Sequence, residues 1–139
     1  MTPIFLDTSG LVAIVNLDDQ WHVATENEWR RIIVSGAPLV TTSLVLIEIG
    51  DGLARVKFRS LAIDLYDRLT ASPRVEVVPI TAEIEAAGWE LYRQRPDKDW
   101  GMTDCISMTV MQRMGVDNVF SCDGDFAQAG YKLLLQAGR

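Results

Sequence analysis

Short apolar runs alternate along the chain with longer segments of helical spacing. The runs fall at about 3–6, 38–41, 75–79, 118–121 and 131–135. Each is bounded by polar or turn-forming residues and is too short for a stable helix, so each reads as a buried strand. The longer segments read as helices. Thr8 or Ser9 caps a first one that runs to about Asn16, and Ala24 to Val34 follows with Trp29, Ile32 and Ile33 on one side. Ser43 caps a third through Glu48 toward Ala54, and Leu61, Leu65 and Leu69 mark a fourth on one helical face. Thr81 caps a fifth, with Glu83 and Glu85 favoured in its first turn and Ile84, Ala87 and Leu91 as its stripe. Thr103 caps the last, whose Ile106, Val110 and Met114 face inward before Gly115 ends it.

Strands that alternate with helices imply an α/β fold: a central, mostly parallel sheet with helices on both faces, joined by right-handed crossovers. The chain has 139 residues, 48% of them hydrophobic, and shows no repeat, low-complexity tract or linker. One domain over 1–139 with a sizeable core is the expectation. Open sheets of this kind bind ligands beyond the carboxyl ends of their strands.

The placement of acids against this pattern points to chemistry. Asp7 ends the first apolar run, Glu48 lies inside Leu44-Val45-Leu46-Ile47-Glu48-Ile49, Asp104 opens the last helix, and Asp123 follows Asn118-Val119-Phe120-Ser121-Cys122. Taken singly each has an ordinary reading as a turn, cap or first-turn residue. Together they place four carboxylates in or beside the most hydrophobic stretches, where an unpaired charge is costly. If the fold gathers them, something positive must offset their repulsion, and a hard divalent cation with oxygen ligands would do so. Asp99 and Asp125 are reserve ligands. Two such ions can stabilise the attacking and leaving oxygens of a phosphoryl displacement, and one can activate water.

Charge and composition narrow the classes. A net charge of -6 argues against a broad basic surface that holds nucleic acid by charge alone, though not against a site neutralised locally by metal. Basic residues gather at Arg55, Lys57 and Arg59, after the Glu48 helix, and at Arg95 and Lys98, before the Asp104 tract; both sets are candidate phosphate contacts. Arg30-Arg31 reads as a solvated helix end. Cys105 and Cys122 have no zinc-type spacing and no basic partner to make a nucleophile, so they read as reduced packing residues. His22, the single histidine, lies outside every acidic motif. Met1-Thr2-Pro3 lacks the basic start of a signal peptide, and no run approaches the ~20 apolar residues of a membrane span. A cytoplasmic protein is expected.

The strings Phe5-Leu6-Asp7-Thr8-Ser9, Thr103-Asp104-Cys105-Ile106-Ser107 and Phe120-Ser121-Cys122-Asp123, with Glu48 in the interval between them, resemble a PIN domain. More narrowly they are similar to VapC-type toxins of bacterial toxin–antitoxin pairs. The resemblance implies a small three-layer α/β/α nuclease, an endoribonuclease that cuts RNA with Mg²⁺ or Mn²⁺. It implies Asp7, Glu48, Asp104 and Asp123 as the acidic site, with Asp7 and Asp104 the principal ligands, and Thr8, Ser9 and Ser121 as polar lining. It also implies a cognate antitoxin and a homodimer. Leu44, Val45, Ile49, Leu53, Ala62, Leu65 and Tyr66 are a candidate apolar groove for the antitoxin, though most of them must also serve as core. One departure stands out: many relatives are basic or carry a histidine after the last acid, whereas this chain reads Gly124-Asp125-Phe126.

Two rivals belong to other classes. A non-catalytic binding module of the same fold would use the acids for a structural metal or a partner's basic tail. A metal-dependent phosphatase with an N-terminal aspartyl nucleophile would want a second Asp at the position that Ser9 fills.

Overall fold

The structure is a computed structural model that describes residues 1–135; the far bound of the expected domain, at 139, lies outside the described residues. Five strands, β1 (Ile4–Leu6), β2 (Leu39–Thr42), β3 (Val75–Val78), β4 (Asn118–Phe120) and β5 (Lys132–Leu133), form one parallel sheet in the order β3-β2-β1-β4-β5. Seven helices flank it: α1 (Thr8–Val15), α2 (His22–Ser35), α3 (Ser43–Gly52), α4 (Arg59–Ala71), α5 (Ala82–Gln94), α6 (Met102–Met114) and α7 (Asp125–Gln128). This is the expected α/β/α sandwich. The three central strands are buried along nearly their whole length because helices cover both faces, which leaves no solvated side to alternate with. Phe5, Leu6, Val119 and Phe120 are wholly buried.

Chain order reverses at the centre. From β1 the chain moves outward through β2 to β3, then crosses back to lay β4 against the other side of β1. The carboxyl ends of β1 and β4 are therefore neighbours, with Ile4, Phe5 and Leu6 paired to Asn118, Val119 and Phe120. That is the switch point where such sheets open a crevice. Gly10 lets α1 start there: a Cβ at this position would lie 2.5 Å from the Phe120 carbonyl oxygen and 2.7 Å from its ring.

Several local expectations are corrected. Asp7, Thr42 and Gly101 occupy the N-cap positions of α1, α3 and α6, one or two residues before the caps expected at Thr8 or Ser9, Ser43 and Thr103. The strand-end residue itself takes the extended cap conformation, which frees the following hydroxyls for other partners. Thr42 Oγ1 accepts the Val45 N–H at 3.1 Å, while Ser43 Oγ accepts Ile80 N–H at 3.0 Å. Thr81 caps α5 as expected, at 3.2 Å from Ile84 N. Helix α6 is buried on all sides from Cys105 to Met111, but Met114 is exposed, because it sits in the final turn beside the left-handed Gly115. Helix α7 has a single turn around buried Phe126, too short to leave a periodic signal.

The apolar groove expected between α3 and α4 is mostly core. Val45, Ile49, Leu53, Ala62 and Leu65 are buried, and Tyr66 alone of the seven is openly exposed. The exposed apolar positions of α3 and α5 are instead Ile47, Trp89 and Tyr92. Among the described residues no helix is long and apolar enough to cross a membrane.

Candidate active site

At the carboxyl end of β1, Asp7 has a side chain that is almost wholly buried, with 5% of its surface exposed. Two serines hold it there. Ser121, just past β4, donates to Asp7 Oδ2 at 2.7 Å, and Ser9 donates to the same oxygen at 3.0 Å. The backbone fixes the direction of both hydroxyls. Ser9 Oγ accepts the Cys122 N–H and Ser121 Oγ accepts the Asp123 N–H, so each hydroxyl has its proton free for the carboxylate. Burial nevertheless pushes the Asp7 pKa up, and the two serines oppose that shift.

A second group of carboxylates forms where α6 and the segment after β4 approach each other. Asp104 sits in the first turn of α6, where its Oδ2 accepts the Gly101 N–H at 3.2 Å. Asp123 Oδ1 accepts the Asp125 N–H at 3.0 Å, which turns the chain into α7. One oxygen from each of Asp104, Asp123 and Asp125 lies within 4.8 Å of the other two. The Asp104 carboxyl is raised to about 7, first by burial and then by the charges of Asp123 and Asp7. Asp125 is also raised, by burial and by Asp123. A hydrogen bond between Asp104 and Asp125 adds to the rise of the former and opposes that of the latter. Carboxylates with this arrangement and this mutual penalty suit a hard divalent cation, whose charge would release the proton and whose coordination takes oxygen ligands.

Glu48 completes the site from α3. Its Oε1 accepts the Thr8 hydroxyl at 2.6 Å across a sequence separation of 40 residues. Asp7, Thr8, Ser9, Glu48, Asp104 and Asp123 all line one cleft of about 570 Å³, joined by Val12, Asp19, Gly101, Met102, Thr103 and Cys122. Ser121 stands behind it as a support for Asp7.

Asp125 moves from a reserve to a member of the carboxylate group, and the departure at Gly124-Asp125-Phe126 thereby has a structural place. Asp99 does not join: it is exposed, lines no part of the cleft, and reaches the group only through its charge on Asp125. No lysine or arginine lines the cleft among the described residues. Arg55 and Lys57 between α3 and α4, and Arg59 at the start of α4, lie exposed, with Lys57 over the Phe58 ring at 4.7 Å; Arg95 and Lys98 line a separate small cavity. His22 bridges α1 and α2 through Nδ1 and the Ala13 carbonyl, a packing role away from the acids. Cys105 and Cys122 are free, and burial pushes both thiols up, which keeps them protonated and poorly nucleophilic.

Asp19 belongs to none of the acidic motifs of the sequence. It enters the cleft from the turn between α1 and α2, where its Oδ1 also accepts the Trp21 N–H at 2.8 Å. The paired Asp18-Asp19 at that break is the only sequence trace of it.

An all-parallel sheet whose switch point gathers carboxylates from β1, α3, α6 and the end of β4 is the arrangement of a PIN domain. Residues 4–131 match the model of that family, and the chain belongs to it. Among known proteins it is similar to the 23S rRNA-specific endonuclease VapC20 from two strains of Mycobacterium tuberculosis. Identity is 34% over 130 residues, covering 92% of this chain and 95% of the relative. The crystal structure of Mycobacterium tuberculosis VapC20, a sarcin-ricin loop cleaving toxin, superposes with a TM-score of 0.82 at 29% identity, over 92% of this chain and 95% of that one. VapBC2 from Rickettsia felis, bound to a DNA fragment from their promoter, shares the fold with a TM-score of 0.69 at 16% identity, over 95% and 96% of the two chains.

Proposed function

We propose that this chain is an endoribonuclease that hydrolyses RNA phosphodiester bonds with Mg²⁺ or Mn²⁺, and that it is the toxin of a type II toxin–antitoxin pair. A fold carries many functions, so the site has to carry this one. The observation that does so is the cleft in which Asp7, Glu48, Asp104 and Asp123 converge from four separate elements. Similarity to VapC20 along nearly the whole of both chains supports the same reading, and makes 23S rRNA the first substrate to test.

In this reading Asp7 and Asp104 are the principal ligands of the cation, Asp123 completes the shell, and Asp125, with an oxygen within 4.8 Å of those of Asp104 and Asp123, supports it. A bound divalent ion supplies Lewis acidity at the phosphate and lowers the pKa of water. The chain's own residues do the rest. Ser9 and Ser121 keep Asp7 fixed and favour its ionised form against the cost of burial. Thr8 orients Glu48, which is then placed to position the attacking water and accept its proton. No histidine takes part, in keeping with His22 being committed to the α1–α2 contact.

An enzyme that cuts cellular RNA needs an inhibitor, and a partner with a cationic side chain is complementary to this cleft. Pairing of two copies of the chain is a further expectation of the family reading.

Cleavage of 23S rRNA and of a mixed RNA pool by purified protein, with Mg²⁺, with Mn²⁺ and with chelator, tests the proposal. Asp7→Asn is the control and is expected to lose at least about 100-fold in rate, the scale of a lost electrostatic contact in a catalytic site. Cutting that persists in chelator, or in Asp7→Asn, counts against the reading. No cutting by folded protein with any metal turns it toward a non-catalytic module.

A further inference from the structure

The acidic cleft offers RNA no cation of its own among the described residues, yet a polyanion must be held beside it. A smaller cavity, about 120 Å³, is lined by Tyr92, Arg95, Pro96, Lys98, Trp100 and Cys105, of which Trp100 and Cys105 flank in sequence the cleft-lining stretch from Gly101 to Asp104. We propose that this cavity is a subsite for one backbone phosphate of the RNA strand flanking the bond that is cut, and that Asp97 is a built-in competitor for it. The proposal rests on the ribonuclease reading above.

The geometry of Arg95 is the first argument. Its guanidinium lies over the Trp100 ring at 5.0 Å, a cation–π contact that holds it against a buried side chain. Its N–H edge is occupied by Asp97: Nε donates to Oδ1 at 3.1 Å and the terminal nitrogen to Oδ2 at 3.2 Å. Lys98 Nζ stands 3.9 Å from the same Oδ2. Two cations thus converge on two oxygens of one anion, through the fork that a phosphate would take equally well. Asp97 is itself well exposed, with 60% of its side chain open to solvent, so its hold on Arg95 is weak and screened. A polyanion that brings many phosphates at once displaces a single surface carboxylate.

The second argument is the connection to the site. Trp100 is 5% exposed, and its indole N–H donates to Gln128 in α7 at 3.1 Å. Asp125, a member of the carboxylate group, opens that same short helix. Gly101, the next residue after Trp100, gives its N–H to Asp104. Cys105 in the cavity wall follows Asp104 directly. The platform under Arg95 is therefore tied at two points to the acids, and a phosphate held on it sets the strand's register over the cleft. Arg74, by contrast, is committed to the fold, since its guanidinium donates to the carbonyls of Ile32, Ile33 and Ala37.

Steady-state cleavage of a fixed RNA hairpin at several salt concentrations tests this. Arg95→Gln and Lys98→Gln are each expected to raise KM about 3- to 10-fold with kcat within about twofold, and to reduce the slope of log KM against log salt by about 0.7. Asp97→Asn is expected to lower KM, while Asp67→Asn, the same charge change at an exposed acid of α4, leaves it unchanged. A role confined to closing the turn after α5 predicts the opposite, since Asp97→Asn would then act like Arg95→Gln. The subsite is overturned if the wild type cuts RNA while KM and salt slope stay the same in the Arg95 and Lys98 variants, or if Asp97→Asn raises KM. Should Arg95→Gln fold poorly, the Asp97→Asn gain still decides. A wild type that cuts no RNA sinks the ribonuclease reading and the subsite with it.

Discussion

Asp104 concentrates the electrostatic tension of the site. Its carboxyl stands at about 7 in the folded protein against an ordinary 3.8, so folding favours the protonated form. That contribution to stability is full below about pH 4 and is lost as the pH rises through 7. In chelator, Asp104→Asn is therefore expected to melt higher than the wild type by several degrees at pH 8 and by much less at pH 5. Thermal melts at the two pH values check this, and a gap that stays constant with pH would remove the carboxyl from the account. Asp7 differs in kind: its neighbours are hydroxyl donors, whereas those of Asp104 are other acids. Its place after a strand was legible in the sequence. The serines that support it were legible as polar neighbours, but their contact across 112 residues was not.

At the scale of elements, α1 matters most, because it starts at the switch point and delivers Asp7, Thr8 and Ser9 within one turn. Its approach to β4 depends on Gly10. Gly10→Ala would bring a methyl to 2.5 Å from the Phe120 carbonyl oxygen, which forces the helix away from the strand. Overpacking of this kind costs about 1–3 kcal/mol, more than the ~1 kcal/mol that alanine gains in helix propensity. The expected result is a lower melting temperature with a larger fractional loss of cleavage, since the Asp7–Ser121 contact spans the same interface; an unchanged melt would refute the close approach. Strands and long helices were readable because their periods differ. Cap positions slipped by a residue or two, since Thr8, Ser9, Ser43 and Thr103 look like caps in sequence while the structure draws the first three into bonds with Glu48, Cys122 and Ile80 and sets Thr103 in the cleft wall. Helix α7 escaped notice because four residues carry no period.

For the whole molecule, the proposed function makes the acids one receptor for a cation. Mg²⁺ or Mn²⁺ at a hundred times its Kd should stabilise the fold by about 2.7 kcal/mol, read as a rise in melting temperature of several degrees. Asp123→Asn and Asp125→Asn are each expected to shrink that rise. A full shift in Asp125→Asn would return that residue to the role of a bystander.

Composition and hydrophobic period alone determined the class of fold, because burial on two faces and helical amphipathicity are local properties that every segment declares for itself. The strings around Asp7, Asp104 and Asp123 likewise declared the family. Only the tertiary structure decided which carboxylates lie close together. Strand order brings β1 beside β4, and one short turn swings Asp125 toward Asp104 while leaving Asp99 in solvent. It also decided that the apolar faces of α3 and α4 are core and not groove. Spacing along a chain reports which residues can share a face; which faces meet is fixed by packing between elements far apart in sequence.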